Sequence, residues 1–341
     1  MTTKTKRPIS GISSLIRRPE FGALVGAVAV YIFFALAGGA PFLAPGGSAS
    51  WLNVAAELGI IALPVALVMI AGDLDLSVGS VLASSSITCA IISGYYHLPT
   101  IVGIIAALVV GTLIGLLNGI IVTKTNLPAF VVTLATLFAV SGLTLGFTRL
   151  LVGSTAVSMT ADPWAKAAFG TLLDGKFSVA IFWWIGVALV VSWVLYKSVY
   201  GNWVFAIGGD VISARATGIP VAKVRIALFA ASGFGAALVG VLQTCMYNGA
   251  QVANGQSFVF NSIIAVVVGG VLLTGGYGST IGVIFGTLTF AIVNQGIYYT
   301  GWNADWAALI LGILLLIAVL TNNTFRRLAL SGGKKEVKKN D

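Results

Sequence analysis

Apolar residues run along this chain in stretches of about twenty, separated by short polar breaks. A helix needs ~20 mostly apolar residues to cross ~30 Å of hydrocarbon. Ten stretches approach that length: 22–39, 51–71, 77–94, 99–122, 128–150, 178–197, 226–247, 259–274, 280–299 and 304–322. Breakers punctuate them. Pro41, Pro45 and Gly46-Gly47 follow the first stretch, Gly94 to Pro99 divides the third from the fourth, and Asn126 to Pro128 precedes the fifth. Pro99 and Pro128 suit a first helical turn, where a missing N–H has no intrahelical partner to lose. The pattern predicts an all-α polytopic membrane protein with about ten transmembrane helices. Eight full spans also fit if the Gly- or Ser-interrupted stretches 259–274 or 77–94 are re-entrant.

The same pattern gives the organisation. A tail over 1–20 leads into a transmembrane domain over 21–322, and a basic tail occupies 323–341. Two connections are long: 151–177, which holds Asp162, Pro163, Asp174 and Gly175 with a short interfacial helix expected around Trp164, and 198–225. The first stretch follows basic residues and resembles a signal peptide. With many spans after it, retention as a signal anchor is the expectation.

Composition narrows the class. Of 341 residues, 58% are hydrophobic and 9% charged, far below the roughly one quarter charged in soluble domains, and mean hydropathy is +1.01. A soluble enzyme, a disordered chain and a nucleic-acid-binding domain are excluded. The net charge of +9 is clustered at Lys4, Lys6, Arg7, Arg17 and Arg18, between Lys197 and Arg225, and from Arg326 to Lys339. With the N-terminus inside, only Arg149, Lys166 and Lys176 of the nineteen basic residues fall outside, so both termini are expected in the cytoplasm. No basic face with interleaved aromatics offers itself to nucleic acid. Cys89 and Cys245 lie in apolar stretches and read as packing residues. His97, in an outer loop without a second histidine nearby, reads as interfacial rather than as a metal ligand.

Segment 198–225 carries the most local information. Gly208-Gly209 predicts a turn, Asp210 an N-cap, Gly218 a helix stop, and Pro220 a barrier to continuation. A further helix is expected to begin near Val221 and run into the next span. A compact helix–turn–helix on the inner face follows; an ordered connector and a docking surface for a cytoplasmic protein both fit it. In Gly72-Asp73-Leu74-Asp75-Leu76-Ser77-Val78-Gly79, the carboxylates read as helix capping at a membrane boundary, with Asp75 or Ser77 opening the third span. Glu57 lies within the second span, where a carboxylate is costly and points to a cavity or a polar partner, unless it reaches water at the outer interface. Asn53, Asn118, Gln243, Asn261, Asn294 and Gln295 are further polar residues in spans. Gly22/Gly26, Gly111/Gly115/Gly119, Gly142/Gly146 and Gly278/Gly282/Gly286 have the spacing of close helix packing. No Walker A loop, H-E-x-x-H or G-x-S-x-G is present, so an ATP-driven process would need its motor on another chain.

Four blocks in order resemble the permease subunit of bacterial ATP-binding-cassette sugar importers of the ribose/xylose/galactose type. They are Gly72–Ser80, Gly111 to Leu134 with Asn118-Gly119 and Leu127-Pro128-Ala129-Phe130, Gly208–Arg225, and Val268 to Ser279 with Gly275-Gly276. The resemblance spans about Trp51 to Asn323. It implies a fold like the cobalamin-importer permease, a pair of permease subunits, a cytoplasmic ATPase docked at 198–225, and a soluble sugar-binding protein outside. It places Asp210, Arg215, Thr217, Gly218 and Ile219 at the ATPase contact. Gly72, Asp75, Ser77, Gly79, Asn118, Gly275 and Gly276 are then motif positions. Asn53, Glu57, Asn261, Asn294 and Gln295 are pathway candidates from their polarity. No cofactor and no metal is expected. The sequence departs from the family pattern at Pro64, Asp73, Ser141, Val259 and Asn294-Gln295-Gly296, which leaves the sugar or polyol open. A branched-chain amino acid permease of related architecture and a stand-alone secondary transporter are the alternatives; an intramembrane enzyme is disfavoured because its catalytic sets are missing.

Overall fold

The computed structural model describes residues 19–125 and 127–318. The basic clusters at Lys4 to Arg18 and Arg326 to Lys339, most of the 1–20 tail, the whole 323–341 tail and Asn126 lie outside the described residues.

The helices are α1 Pro19–Leu43, α2 Pro45–Ile70, α3 Val78–Ala90, α4 Thr100–Lys124, α5 Ala129–Val152, α6 Ala180–Lys197, α7 Val199–Gly209, α8 Val211–Ala216, α9 Val221–Tyr247, α10 Gln256–Val268 and α11 Thr280–Gly296, followed by α12 Trp306–Ala318. A π turn, Ile91–Tyr95, extends α3, and a 3-10 turn, Ile297–Tyr299, extends α11. Among the described residues eight helices are long and apolar enough to cross a membrane: α1 to α6, α9 and α11, with α10 and α12 shorter. The protein is thus a polytopic α-helical membrane protein.

Breakers act locally, as expected. Gly39 leaves helical geometry at φ 59° just before Pro41, and Pro45 opens α2 in its first turn, six residues earlier than the apolar pattern indicates. Gly218 stops α8 at φ +85°, and α9 begins at Val221 as expected. Two expectations need correction. Gly208-Gly209 does not form a turn: both glycines complete α7, a helix that the apolar pattern does not predict, and the chain turns at extended Asp210. The reason for glycine at 208 is contact, because a Cβ there would overlap the Ile70 carbonyl oxygen. The eighth stretch is shorter than 259–274, since α10 ends at Val268 and Gly270, at φ +89°, turns the chain away.

Helices α2, α3, α9 and α11 are mostly buried and form the centre, while α1, α4, α5 and α6 expose apolar flanks. The glycine spacings separate into two kinds. Gly111, Gly115 and Gly119 of α4 press on the backbone and small side chains of α9 around Gly233, Phe229 and Ile226, so the two helices run antiparallel at close approach. Gly22, Gly26, Gly142 and Gly146 face open space.

At one end, two small antiparallel ladders tie the long connections down. β1 (Ala156–Ser158) pairs with β4 (Gly249–Gln251), and β2 (Leu172–Leu173) with β3 (Phe177–Ser178). The expected helix near Trp164 is one turn, Pro163–Ala165, continued as a π turn over Lys166–Gly170. Asp162 accepts from the Thr100 N–H at 2.9 Å while its own N–H donates to Thr100 Oγ1 at 2.9 Å, a reciprocal cap for α4 supplied by another segment. Lys166 Nζ donates to the carbonyls of Cys245 and Met246 and to Asn248 Oδ1, satisfying the open C-terminus of α9.

Candidate functional site

The opposite end holds a junction of three backbones. Gly276 N–H donates to the Ile70 carbonyl at 2.8 Å, joining the end of α2 to the turn between α10 and α11. Gly72, Gly275 and Gly276 all have positive φ, and Gly208 at the end of α7 is wedged between Ile70 and Gly276. Motif residues from three distant blocks are therefore packed together, with α8 following directly on α7. Asp210 caps α8: its carboxylate accepts from the Ser213 N–H at 2.6 Å. This bond holds the Asp210 carboxyl below the ordinary carboxylate range. Arg215 and Thr217 are exposed on this short helix and its cap, and Ile219 is half-buried against the core.

Asp73 and Arg225 add a charged tie beside that junction. The guanidinium Nε and one terminal nitrogen donate to the two carboxylate oxygens. The pair links the segment after α2 to the first turns of α9, immediately after α8.

Asp75 and Ser77 open α3 as expected, and Asp75 also reaches a partner outside that helix start. Ser77 stands at the N-cap of α3 without a side-chain bond to the helix. Asp75 is 1% exposed and accepts from Ser77 N–H at 2.9 Å, Ser77 Oγ at 2.6 Å and Ser232 Oγ at 2.7 Å. Ser77 Oγ accepts from Asn118 Nδ2 at 2.9 Å, and Asn118 Oδ1 accepts from Thr136 Oγ1 at 2.6 Å. One chain of bonds thus crosses from α5 through α4 and the start of α3 to the middle of α9. Burial makes each unpaired member expensive, so the set is fixed as a unit. The carboxylate lies against Ser232, well inside α9 rather than at its end. The non-helical segment 73–76 brings it there.

The mirror feature is the segment 248–255. It descends from β4 to Gly255, whose backbone packs directly on that of Gly79 in the first turn of α3. α3 and α10 therefore begin beside each other inside the bundle. Irregular backbone at such depth is tolerated where protein or a cavity satisfies it.

The polar pathway candidates are dispersed. Asn53 clamps the β2–β3 hairpin, donating to the Lys176 carbonyl and accepting from Ser178 N–H, both at 2.8 Å. Glu57 accepts from Gln243 Nε2 at 2.8 Å. Gln295 donates to Asn294. Asn261 is half-buried with no hydrogen bond among the described residues. Sequence reasoning misses Ser232, Thr136 and the Asp73–Arg225 pair; none carries a local signal. Cys89 and Cys245 are free and buried, and no group of three metal-ligating side chains occurs among the described residues.

Comparison with known proteins agrees with this architecture. The family described as branched-chain amino acid transport system / permease component matches residues 47–319. The ribose import permease protein RbsC of Haemophilus influenzae is 33% identical over 266 residues, covering 77% of this chain and 81% of the relative. A probable ABC transporter permease, y4mJ of Sinorhizobium fredii, is 35% identical over 281 residues, covering 80% and 81%. The fructose import permease protein FrcC of Rhizobium meliloti is 30% identical over 285 residues, covering 82% and 78%. No solved structure matches the chain at a significant level. The resemblance to sugar-importer permeases drawn from the four sequence blocks is borne out by these relatives, although the family's own description also takes in the branched-chain amino acid systems. The eight span-length helices and this agreement over most of the chain make the protein a member of that permease-component family, an ABC transporter permease and not itself an ATP-hydrolysing enzyme.

Proposed function

We propose that this chain forms the translocation pathway of an ATP-driven importer of a simple sugar or related polyol. The observation that carries the reading is the match to ribose and fructose import permeases over about four-fifths of their length. Two copies pair in the cytoplasmic membrane in a fold like the cobalamin-importer permease. The short helices α10 and α12 bring the membrane segments to ten, and both termini lie in the cytoplasm. A soluble sugar-binding protein delivers solute at the face carrying β1 to β4, and separate ATPase subunits dock on the other.

The ATPase contact is α8 with its flanks: Asp210, Arg215, Thr217, Gly218 and Ile219. Support comes from the capped, exposed helix that follows directly on α7, whose Gly208 sits in the junction with Gly72, Gly275 and Gly276. A push on α8 is delivered through Gly208 to the end of α2 and the α10–α11 turn, and through Arg225 to Asp73. Packed backbones without intervening flexible side chains transmit displacement rather than absorb it.

The test is reconstitution of the permease with its ATPase and binding protein in liposomes. Uptake of D-ribose, D-fructose or D-galactose that requires ATP on the side of the ATPase is expected. ATP-driven uptake of L-leucine with none of the three sugars moves the assignment to the amino acid branch that the family description includes. Uphill uptake by the chain without an ATPase would identify a secondary transporter instead.

A further inference from the structure

We infer that the cavity beside β1 and β4 is a receiving site for the uncharged, hydroxyl-rich solute, built chiefly by Gln243, Tyr247, Asn248, Gln251 and Asn254. This rests on the sugar-import reading and goes beyond it by naming the residues that meet the solute.

The cavity is an open recess of about 520 Å³, within the ~300–1,000 Å³ of small-molecule sites. Its polar lining is neutral: four carboxamides, the Tyr247 hydroxyl and Ser158, with no Asp, Glu, Lys or Arg. A carboxamide offers both donors and acceptors, as a sugar hydroxyl does. A zwitterionic amino acid entering the same space would leave two charges without partners on the lining, and desolvating unpaired charge is the costlier case.

The polar groups are also available. The side chains of Gln251, Asn254 and Tyr247 make no hydrogen bond to the described residues, and Asn248 uses only Oδ1, on Lys166. Gln243 is the exception that orients the set. It is 8% exposed, its Nε2 is held by Glu57 at 2.8 Å, and its Oε1 is left as an acceptor. The intramembrane Glu57 thereby fixes which end of the Gln243 amide is presented. Below the cavity, 248–255 leads to the contact of Gly255 with Gly79, where α3 and α10 begin. The site therefore stands over the place where non-helical chain enters the bundle from this face.

The experiment is cysteine protection with the full chain in proteoliposomes. Asn254→Cys and, separately, Gln251→Cys are labelled with a membrane-impermeant maleimide; the two native cysteines are buried. D-Ribose, D-fructose and D-galactose at tens of millimolar are the probes, with L-leucine as the charged control. At least one sugar is expected to slow labelling about threefold, the factor 1 + [L]/Kd reaches at twice Kd, while L-leucine leaves the rate unchanged. Labelling of both variants at equal rates with and without every sugar, in a protein whose reconstituted importer does take up one of them, overturns the site and spares the import reading. Protection by L-leucine but by no sugar overturns both. The two variants guard against one position failing to fold.

Discussion

Arg225 grips both carboxylate oxygens of Asp73, so the first turns of α9 are tied to the segment leaving α2. The side chains are 18% and 5% exposed, so water screens the pair only partly.

Removing Arg225 leaves Asp73 buried and unpaired, and removing Asp73 leaves Arg225 half-buried and unpaired. Asp73→Ala and Arg225→Ala are each expected to cost about 2–3 kcal/mol, and Asp73→Ala/Arg225→Ala less than their sum. A double-mutant cycle on thermal unfolding in detergent measures the difference. Additive single losses would show that the pair does not interact.

The Asp75 bonds give a second comparison. Asp75→Asn keeps one acceptor oxygen for Ser77 and turns an amide N–H toward Ser232 Oγ, which can accept it, and should remain folded. Asp75→Leu strips the acceptor from three buried donors, Ser77 N–H, Ser77 Oγ and Ser232 Oγ, and should lose about 3 kcal/mol or more, at ~1–3 kcal/mol for each buried donor left unsatisfied. Yield of monodisperse protein on gel filtration and its melting temperature report the difference. Equal behaviour of the two variants would contradict the network.

Gly79 and Gly255 meet backbone to backbone, and a Cβ on either would overlap the other's main chain. Each alanine variant is expected to lose at least the ~1–3 kcal/mol typical of overpacking. Gly142→Ala and Gly146→Ala, with nothing near the added carbon, should be neutral. Melting temperatures of the four variants check the contrast.

Gly218 holds φ +85° with open space around it. A leucine there fits sterically but carries the ~1–2 kcal/mol penalty of left-handed backbone. Gly218→Leu is expected to insert and fold, yet to lose ATP-driven uptake because the end of α8 moves. Unchanged uptake removes α8 from the coupling role.

Asp210 makes the cap of α8 pH-dependent. Its carboxyl is lowered by the backbone bond from Ser213, so the cap's contribution is complete above the ordinary carboxylate range. It is lost as pH falls through the lowered value. Hydrogen exchange at Ser213, corrected for intrinsic rate, should quicken on acidification in the wild type. In Asp210→Asn, whose side chain does not titrate, it should stay flat.

Much of the fold is legible in the sequence because the signals are local. Span length, the Asp210 cap and the Gly218 stop each depend on a few consecutive residues. The α7 helix escapes such reasoning because Gly208-Gly209 looks like a turn; its glycine is required by Ile70, a residue far away in the chain. Asp75 is legible only in part for the same reason. A carboxylate two residues before a serine at a helix start has the local pattern of a cap, and only packing against α9 reveals Ser232 as its partner.

The amino-acid order by itself determined that the chain is a polytopic membrane protein and roughly where most of its long apolar helices lie, because desolvating the backbone forces a helix wherever some twenty apolar residues follow one another. Tertiary structure alone decided which glycines touch, which polar side chains find each other, and that α3 and α10 start side by side inside the bundle. Those contacts join residues far apart in the chain, and their free energy exists only once the helices have packed.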